Sequence, residues 1–194
     1  MLKKYLKKTL ESESKKFYLK NKDEVLDIIV FGSFVKGKEK PNDIDILLIF
    51  KDKIDLNLSH ELKKSLEQKI EMKIEITSKT YFKLFDTALK IKESFLVEGY
   101  SLVNNKRIAE GLGFTNKILF HYSLKSKNKS ERMQFYYGLH GRNTEGIINK
   151  LNAVKYTDTI ILCPVENQEE MEEFFKNWKI EFKETPLLIP SRLL

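Results

Sequence analysis

The apolar residues of this chain follow several distinct patterns. Over 2–19, Leu2, Tyr5, Leu6 and Leu10 recur at helical spacing among lysines and glutamates, which predicts an amphipathic helix. Over 26–31 and again over 44–50 the apolar residues run together, as they do in a strand covered on both faces. Ile70-Glu71-Met72-Lys73-Ile74-Glu75-Ile76-Thr77 alternates strictly and predicts a strand with one apolar and one polar face. Helices are expected over 58–69, where Leu62 and Leu66 stand four apart, and over 79–97, with a stop near Gly99.

Beyond Gly99 the character changes. Asn104, Asn105 and Lys106 mark a junction, so one domain is expected over 1–104 and an accessory domain over 105–194. A helix is expected from Ser130 and a short strand over 159–163, stopped by Pro164. Asn167 followed by Glu170 resembles a capping box opening a helix to about 178, and 179–183 alternates as a last strand. There is no internal repeat and no low-complexity linker. The expected fold class is α/β (α+β). It comprises a small twisted mixed sheet with helices packed on one side, followed by a C-terminal α/β appendage.

Composition narrows the function. Hydrophobic residues make up 41% of the chain, enough to bury a core, which excludes global disorder. No apolar run approaches the roughly 20 residues that span a bilayer; the longest is broken by Asp27 and Gly32. The first residues alternate charge with apolar side chains and lack the apolar stretch of a signal peptide, so a cytoplasmic location without membrane is expected. Cys163 is the only cysteine, which excludes an internal disulfide and a cysteine-based zinc site. His60, His121 and His140 are scattered without ligand spacing. The net charge of +7 is uneven: residues 101–150 carry 9 Lys/Arg against 3 Asp/Glu, whereas residues 151–194 carry 5 against 8. An anionic partner would be drawn to the first of these segments.

The chemistry-bearing stretch is Phe31-Gly32-Ser33-Phe34-Val35-Lys36-Gly37, followed at Asp43 by Asp43-Ile44-Asp45-Ile46. A buried strand delivers the chain to Gly32, where the missing Cβ lets a large ligand approach the backbone. Ser33 adds a hydroxyl and a free amide. A turn containing Gly37 and Pro41 returns the chain, and Asp43 and Asp45 then stand two apart at the start of a strand, on one face. Two adjacent carboxylates repel each other, and a cation relieves them. Hard oxygen ligands with no thiolate or imidazole cluster point to Mg2+ or Mn2+. A phosphate-gripping Gly-Ser facing an acid pair is the layout of metal-assisted phosphoryl transfer, in which two metals about 3.5–4 Å apart activate the attacking hydroxyl and stabilise the leaving pyrophosphate.

Gly32-Ser33, nine intervening residues and Asp43-Ile44-Asp45 resemble the signature of the nucleotidyltransferase superfamily related to DNA polymerase beta. Gly32-Ser33-Phe34-Val35-Lys36-Gly37 is most similar to its minimal nucleotidyltransferase branch, with Lys36 where that branch usually has Arg. The resemblance covers about 20–104 and ends with Glu98-Gly99-Tyr100-Ser101-Leu102. It implies a nucleoside triphosphate substrate, ATP in the first instance, held by Gly32, Ser33 and Lys36. It also implies catalytic carboxylates that bind the metal: Asp43, Asp45 and a third on a following strand. Glu75 fits that third position, and Glu71 on the same face is the second choice.

The basic segment is also aromatic. Lys125, Lys127, Lys129, Arg132 and Arg142 lie near Phe120, Tyr122, Phe135, Tyr136 and Tyr137. Cations neutralise phosphates and aromatics stack on unpaired bases, so Lys125, Lys129, Arg132 and Arg142 are candidate acceptor-binding residues for RNA. Against this, Phe135 and Tyr136 fit the core side of a helix and the lysines a solvated face. Gly138, Gly141 and Gly146 suggest tight turns or a close backbone approach.

The expected activity is transfer of a nucleoside monophosphate to a hydroxyl of RNA, a protein or a small molecule, with release of pyrophosphate. Minimal nucleotidyltransferases often resemble antitoxins that pair with an RNA-cleaving toxin, so the alternatives are a regulatory partner of such a protein, or a nucleotide- or RNA-binding module without turnover.

Overall fold

The computed structural model describes residues 2–36, 42–86 and 92–193. The chain divides into two units, Met1–Gly113 and Phe114–Leu194. The expected turn containing Gly37 and Pro41 lies outside the described residues.

The first unit contains α1 (Leu2–Lys20), β1 (Val25–Phe31), β2 (Asp43–Phe50), α2 (Leu56–Glu67), β3 (Lys73–Thr80), α3 (Lys92–Glu98), β4 (Tyr100–Ser101), β5 (Lys106–Arg107) and α4 (Ile108–Gly111). Its sheet runs in the order β3-β2-β1-β4-β5. β2 and β3 are parallel and the other pairs antiparallel, so the sheet is mixed. Parallel neighbours need a crossover, and α2 supplies it. Asp55 caps that helix: its carboxylate accepts from the amides of Asn57 at 2.7 Å and Leu58 at 3.2 Å. Such a cap contributes about 1 kcal/mol.

Alternation along the strands creates two apolar faces. Ile28, Val30, Ile44, Ile46, Leu48, Phe50 and Ile74 pack with Leu6, Leu10 and Phe17 of α1 and Leu62 and Leu66 of α2. Ile29, Leu47 and Ile49 pack with Phe95 of α3 in a second, smaller cluster. The two long helices thus lie on one side, as expected, and the short α3 covers part of the other. Covering both faces is why β1 and β2 read as continuous apolar runs.

The structure corrects the sequence reading after residue 70. The alternating strand begins at Lys73 rather than Ile70 and continues to Thr80. Lys79 and Thr80, expected to open a helix, pair instead with Ile49 and Phe50 of β2. Pairing along the whole of β2 prevails there over local helical periodicity. A single 3-10 turn, Phe82–Phe85, follows; residues 87–91 of the expected helix lie outside the described residues, and α3 is described over Lys92–Glu98. The Asn104–Asn105 turn lies between β4 and β5, inside the first unit.

The second unit contains β6 (Phe114–Ser123), α5 (Lys129–His140), α6 (Ile147–Lys150), β7 (Val154–Thr157), β8 (Ile160–Pro164), α7 (Gln168–Asn177) and β9 (Glu181–Pro190). The sheet order is β7-β8-β6-β9, antiparallel throughout. With α5 between β6 and β7, and α7 between β8 and β9, this is the split βαβ, ferredoxin-like arrangement. Its core is strongly aromatic: the Phe175 ring lies 5.6 Å from Phe120, 5.3 Å from Tyr122 and 5.1 Å from Phe182. Gly138 is a packing residue, since a Cβ there would stand 2.9 Å from the Trp178 ring. Cys163 is buried, which pushes its thiol up to about 12. The capping box expected at Asn167 does not form: the Asn167 amide instead donates to the Leu151 carbonyl at 2.8 Å. Asn128 and Glu131 form one at the start of α5. Among the described residues no helix is long and apolar enough to cross a membrane.

Candidate active site

β1 ends at Gly32, whose φ of +75° opens the 3-10 turn Gly32–Phe34. The Gly32 carbonyl accepts from the amides of Val35 at 3.1 Å and Lys36 at 3.3 Å, which closes the turn. Two constraints require glycine. A positive φ of this size disfavours any side chain. In addition, a Cβ at this position would stand 2.6 Å from Oδ2 of Asp45. The Asp45 carboxylate therefore lies directly against the Gly32 backbone.

Register explains the meeting. Asp45 pairs with Phe31 across the antiparallel β1–β2 ladder. Across the parallel β2–β3 ladder Asp45 pairs with Glu75 and Asp43 with Lys73. Paired residues share a face, so Asp43, Asp45, Lys73 and Glu75 all project from one side of the sheet. This is the side whose apolar part is Ile29, Leu47, Ile49 and Phe95. The carboxylates thus begin where that apolar face ends. Glu71 precedes β3 and has no place in the ladder.

The electrostatics reflect this crowding. Burial pushes the Asp45 carboxyl above its ordinary range, and the charges of Asp43, Glu75 and Glu98 add to the shift, with Lys73 opposing it. Glu75 moves the other way, because the Lys73 ammonium hydrogen-bonds it. Lys36 is held in an ion pair with the buried Glu98 at 2.9 Å. Among the described residues no three carboxylate, thiol or imidazole groups are grouped to enclose a metal as placed. The donor set nevertheless suits a hard cation: Asp45 is held among like charges that Lys73 relieves only in part and a metal ion or a proton would relieve further.

Lys73 and Glu98 were not singled out from the sequence. Lys73 sits one rung from Glu75 in the alternating strand, so its side was readable. Glu98 opens the Glu98-Gly99-Tyr100-Ser101-Leu102 stretch that closes the resemblance, but its place at the site, reached from the end of α3, was not readable from that stretch.

The family comparison supports the assignment of this unit. Residues 13–107 match the family model described as Polymerase beta, Nucleotidyltransferase. The segment is a nucleotidyltransferase domain of that family. No curated protein matches the chain. Two solved structures are similar to part of it. One is a mutant of the toxin–antitoxin MntA-HpeT, 20% identical with a TM-score of 0.37. The other is a toxin–antitoxin with AMP-PNP, 22% identical with a TM-score of 0.38. Each match covers 47% of this chain and 71% of the other.

The nucleotidyltransferase domain contains Gly32, Ser33, Lys36, Asp43, Asp45 and Glu75. The four residues singled out for acceptor binding lie in the second unit. Lys129 and Arg132 line one cavity there, whereas Lys125 and Arg142 are not among its lining residues. The Arg142 guanidinium lies over the Tyr137 ring at 4.9 Å. The glycine density around it serves the chain's own backbone: a Cβ on Gly141 would stand 2.3 Å from the Thr144 carbonyl oxygen, and one on Gly146 2.3 Å from the His140 carbonyl carbon.

Proposed function

We propose that the chain transfers a nucleoside monophosphate from a nucleoside triphosphate, ATP in the first instance, to a hydroxyl acceptor. The acceptor oxygen forms a bond to the α-phosphorus, the bond from that phosphorus to the β-phosphate oxygen breaks, and pyrophosphate leaves. The observation that carries this reading is the contact of the Asp45 carboxylate with the Gly32 turn, on the same face as Asp43 and Glu75.

The Gly32 turn and the Ser33 amide and hydroxyl hold the triphosphate, for which the absent Cβ leaves room. Asp43, Asp45 and Glu75 would hold Mg2+ or Mn2+, which would polarise the phosphoryl oxygens and lower the pKa of the attacking hydroxyl. Glu75, whose carboxyl is held low by Lys73, stays ionised and takes the proton from the acceptor hydroxyl. Lys36 leaves Glu98 to meet the triphosphate. A cytoplasmic setting, where nucleoside triphosphates and Mg2+ are abundant, fits this chemistry.

The test is the fate of label from α-phosphate-labelled triphosphates incubated with the full chain, Mg2+ and, separately, tRNA, mixed cellular RNA and proteins co-purified from a host lysate. The expected result is pyrophosphate release with label on one of these acceptors. Nucleotide binding without label on any acceptor, and without pyrophosphate, would instead leave a binding module.

A further inference from the structure

The second unit holds a cavity of about 790 Å3 beside α5. That volume lies in the ordinary range for a small-molecule site. One stripe of α5 forms its wall: Lys129, Arg132, Met133, Tyr136 and His140 recur at helical spacing, and all five line the cavity. The stripe is divided along its length. Its N-terminal end carries the two cations and its C-terminal end carries rings, with His140 tilted against Tyr136 at 4.4 Å between centroids. Tyr122 and Phe135 supply further aromatic lining from the core.

Much of the cavity's polarity is already committed. Lys155 is paired with Asp158 at 2.7 Å, and Lys127 with Glu131 at 3.6 Å. Tyr122 donates its hydroxyl to the Asp158 carbonyl at 2.8 Å. Two cationic capacities remain. Lys129 has no carboxylate partner among the described residues. Arg132 donates Nε to the Lys127 carbonyl at 2.8 Å, which fixes the guanidinium and leaves its terminal nitrogens to serve a ligand. Met133 and Tyr136 are about half exposed, at 48% and 50%, although both are large and apolar. The first turn of the capped, 12-residue α5 adds its partial positive charge beside the two cations.

An anion at one end and a flat, hydrogen-bonding aromatic body at the other complement this lining. We propose that the cavity is a second nucleotide site, binding one 5′-phosphorylated nucleotide. The phosphate lies at Lys129 and Arg132, and the base stacks on the half-exposed Tyr136 ring. This site stands on the second unit alone and is independent of transfer by the first. The same chemistry is offered by a free mononucleotide and by the unpaired 5′-phosphorylated end of an RNA strand.

The test is titration calorimetry of the full chain with AMP, adenosine and inorganic phosphate, all in EDTA. AMP is expected to bind at least about ten-fold more tightly than adenosine or phosphate, because only AMP engages both ends. Replacing Lys129 and Arg132 together by Ala, or Tyr136→Ala alone, should weaken AMP by about ten-fold or more. All three side chains are exposed enough to be changed without loss of the fold. Asp45→Asn, at the first unit's site, should leave the affinity for AMP unchanged. Equal binding of AMP and adenosine, AMP binding indifferent to the α5 changes, or its loss in Asp45→Asn would each overturn the proposal. A 5′-phosphorylated RNA octamer binding about ten-fold more tightly than AMP identifies an RNA end as the ligand, and equal affinities identify the free nucleotide.

Discussion

The Asp45 carboxylate rests on Gly32, so closely that a Cβ there would stand 2.6 Å from Oδ2. In the proposed reaction one residue would supply the open backbone for a phosphate and the other a ligand for its metal. The β1–β2 ladder fixes both in one place. A substitution at either position therefore disturbs the other.

Gly32→Ala should be severe in two ways. The φ of +75° disfavours any Cβ, at a cost of about 1–2 kcal/mol. The new methyl also displaces the Asp45 carboxylate. Denaturant unfolding should show a modest loss of stability, while transfer should fall by about two orders of magnitude or more, as a misplaced catalytic group implies.

Asp45→Asn should fold and be slightly more stable at neutral pH. The folded carboxyl titrates above its ordinary value of 3.8, because burial and neighbouring carboxylates disfavour its charge. The folded state therefore binds this proton more tightly than the unfolded state does. The resulting penalty is absent below the unfolded value, grows as pH rises, and is complete above the raised folded value. Unfolding midpoints of wild type and Asp45→Asn, taken from acid to neutral pH, should diverge in that direction, with the variant gaining. A variant less stable at pH 7 would contradict the crowded-carboxylate description.

Glu75 and Glu71 are separated by the register. Glu75 pairs with Asp45, whereas Glu71 precedes the strand. Glu75→Gln should lower kcat by about two to three orders of magnitude, and Glu71→Gln by less than about three-fold. The reverse pattern would mean that the third carboxylate is on the wrong rung.

Lys36 and Glu98 should trade partners when nucleotide binds. Their 2.9 Å ion pair occupies the cation that the proposed reaction assigns to the triphosphate. Glu98→Gln releases Lys36 and should lower the KM for nucleoside triphosphate, whereas Lys36→Ala should raise it. Steady-state kinetics of the two variants test this through the opposite signs of their KM changes.

If RNA is the acceptor and lies along the basic segment, its binding should weaken steeply as salt rises, because the counterions released on binding must be released into a more concentrated solution. Lys125→Ala and Lys129→Ala should each lower the salt slope by roughly one unit, and Arg142→Ala by more if its guanidinium grips a phosphate in two places. Gel-shift titrations at two salt concentrations decide. No binding of tRNA or mixed cellular RNA at low salt would remove RNA as the acceptor.

The first unit was readable from sequence because its signals are local. Continuous apolar runs marked the doubly covered β1 and β2, and alternation marked β3. The Gly-Ser turn and the paired aspartates are adjacent to the strand ends that position them. What failed there was a boundary: Lys79 and Thr80 look helical, yet a parallel partner holds them extended. The place of Glu98 at the site was not readable, because it depends on how α3 lies on the sheet. The second unit was harder. β6, the strand that pairs with both β8 and β9, carries Asn116, Lys117 and His121 among its apolar residues, which blurs its alternation. The cap at Asn167 matched its motif but lost its side chain to the Leu151 carbonyl, a partner 16 residues away.

In the proposed reaction Asp43 and Asp45, set against the Gly32 turn, drive transfer of a nucleoside monophosphate. The most direct measurement is pyrophosphate release from ATP in the presence of the identified acceptor, compared between wild type and Asp45→Asn at matched concentration. Wild type should release pyrophosphate in Mg2+ and stop in EDTA, and Asp45→Asn should be slower by about three orders of magnitude while remaining folded. Release by Asp45→Asn at a rate close to wild type would contradict the account.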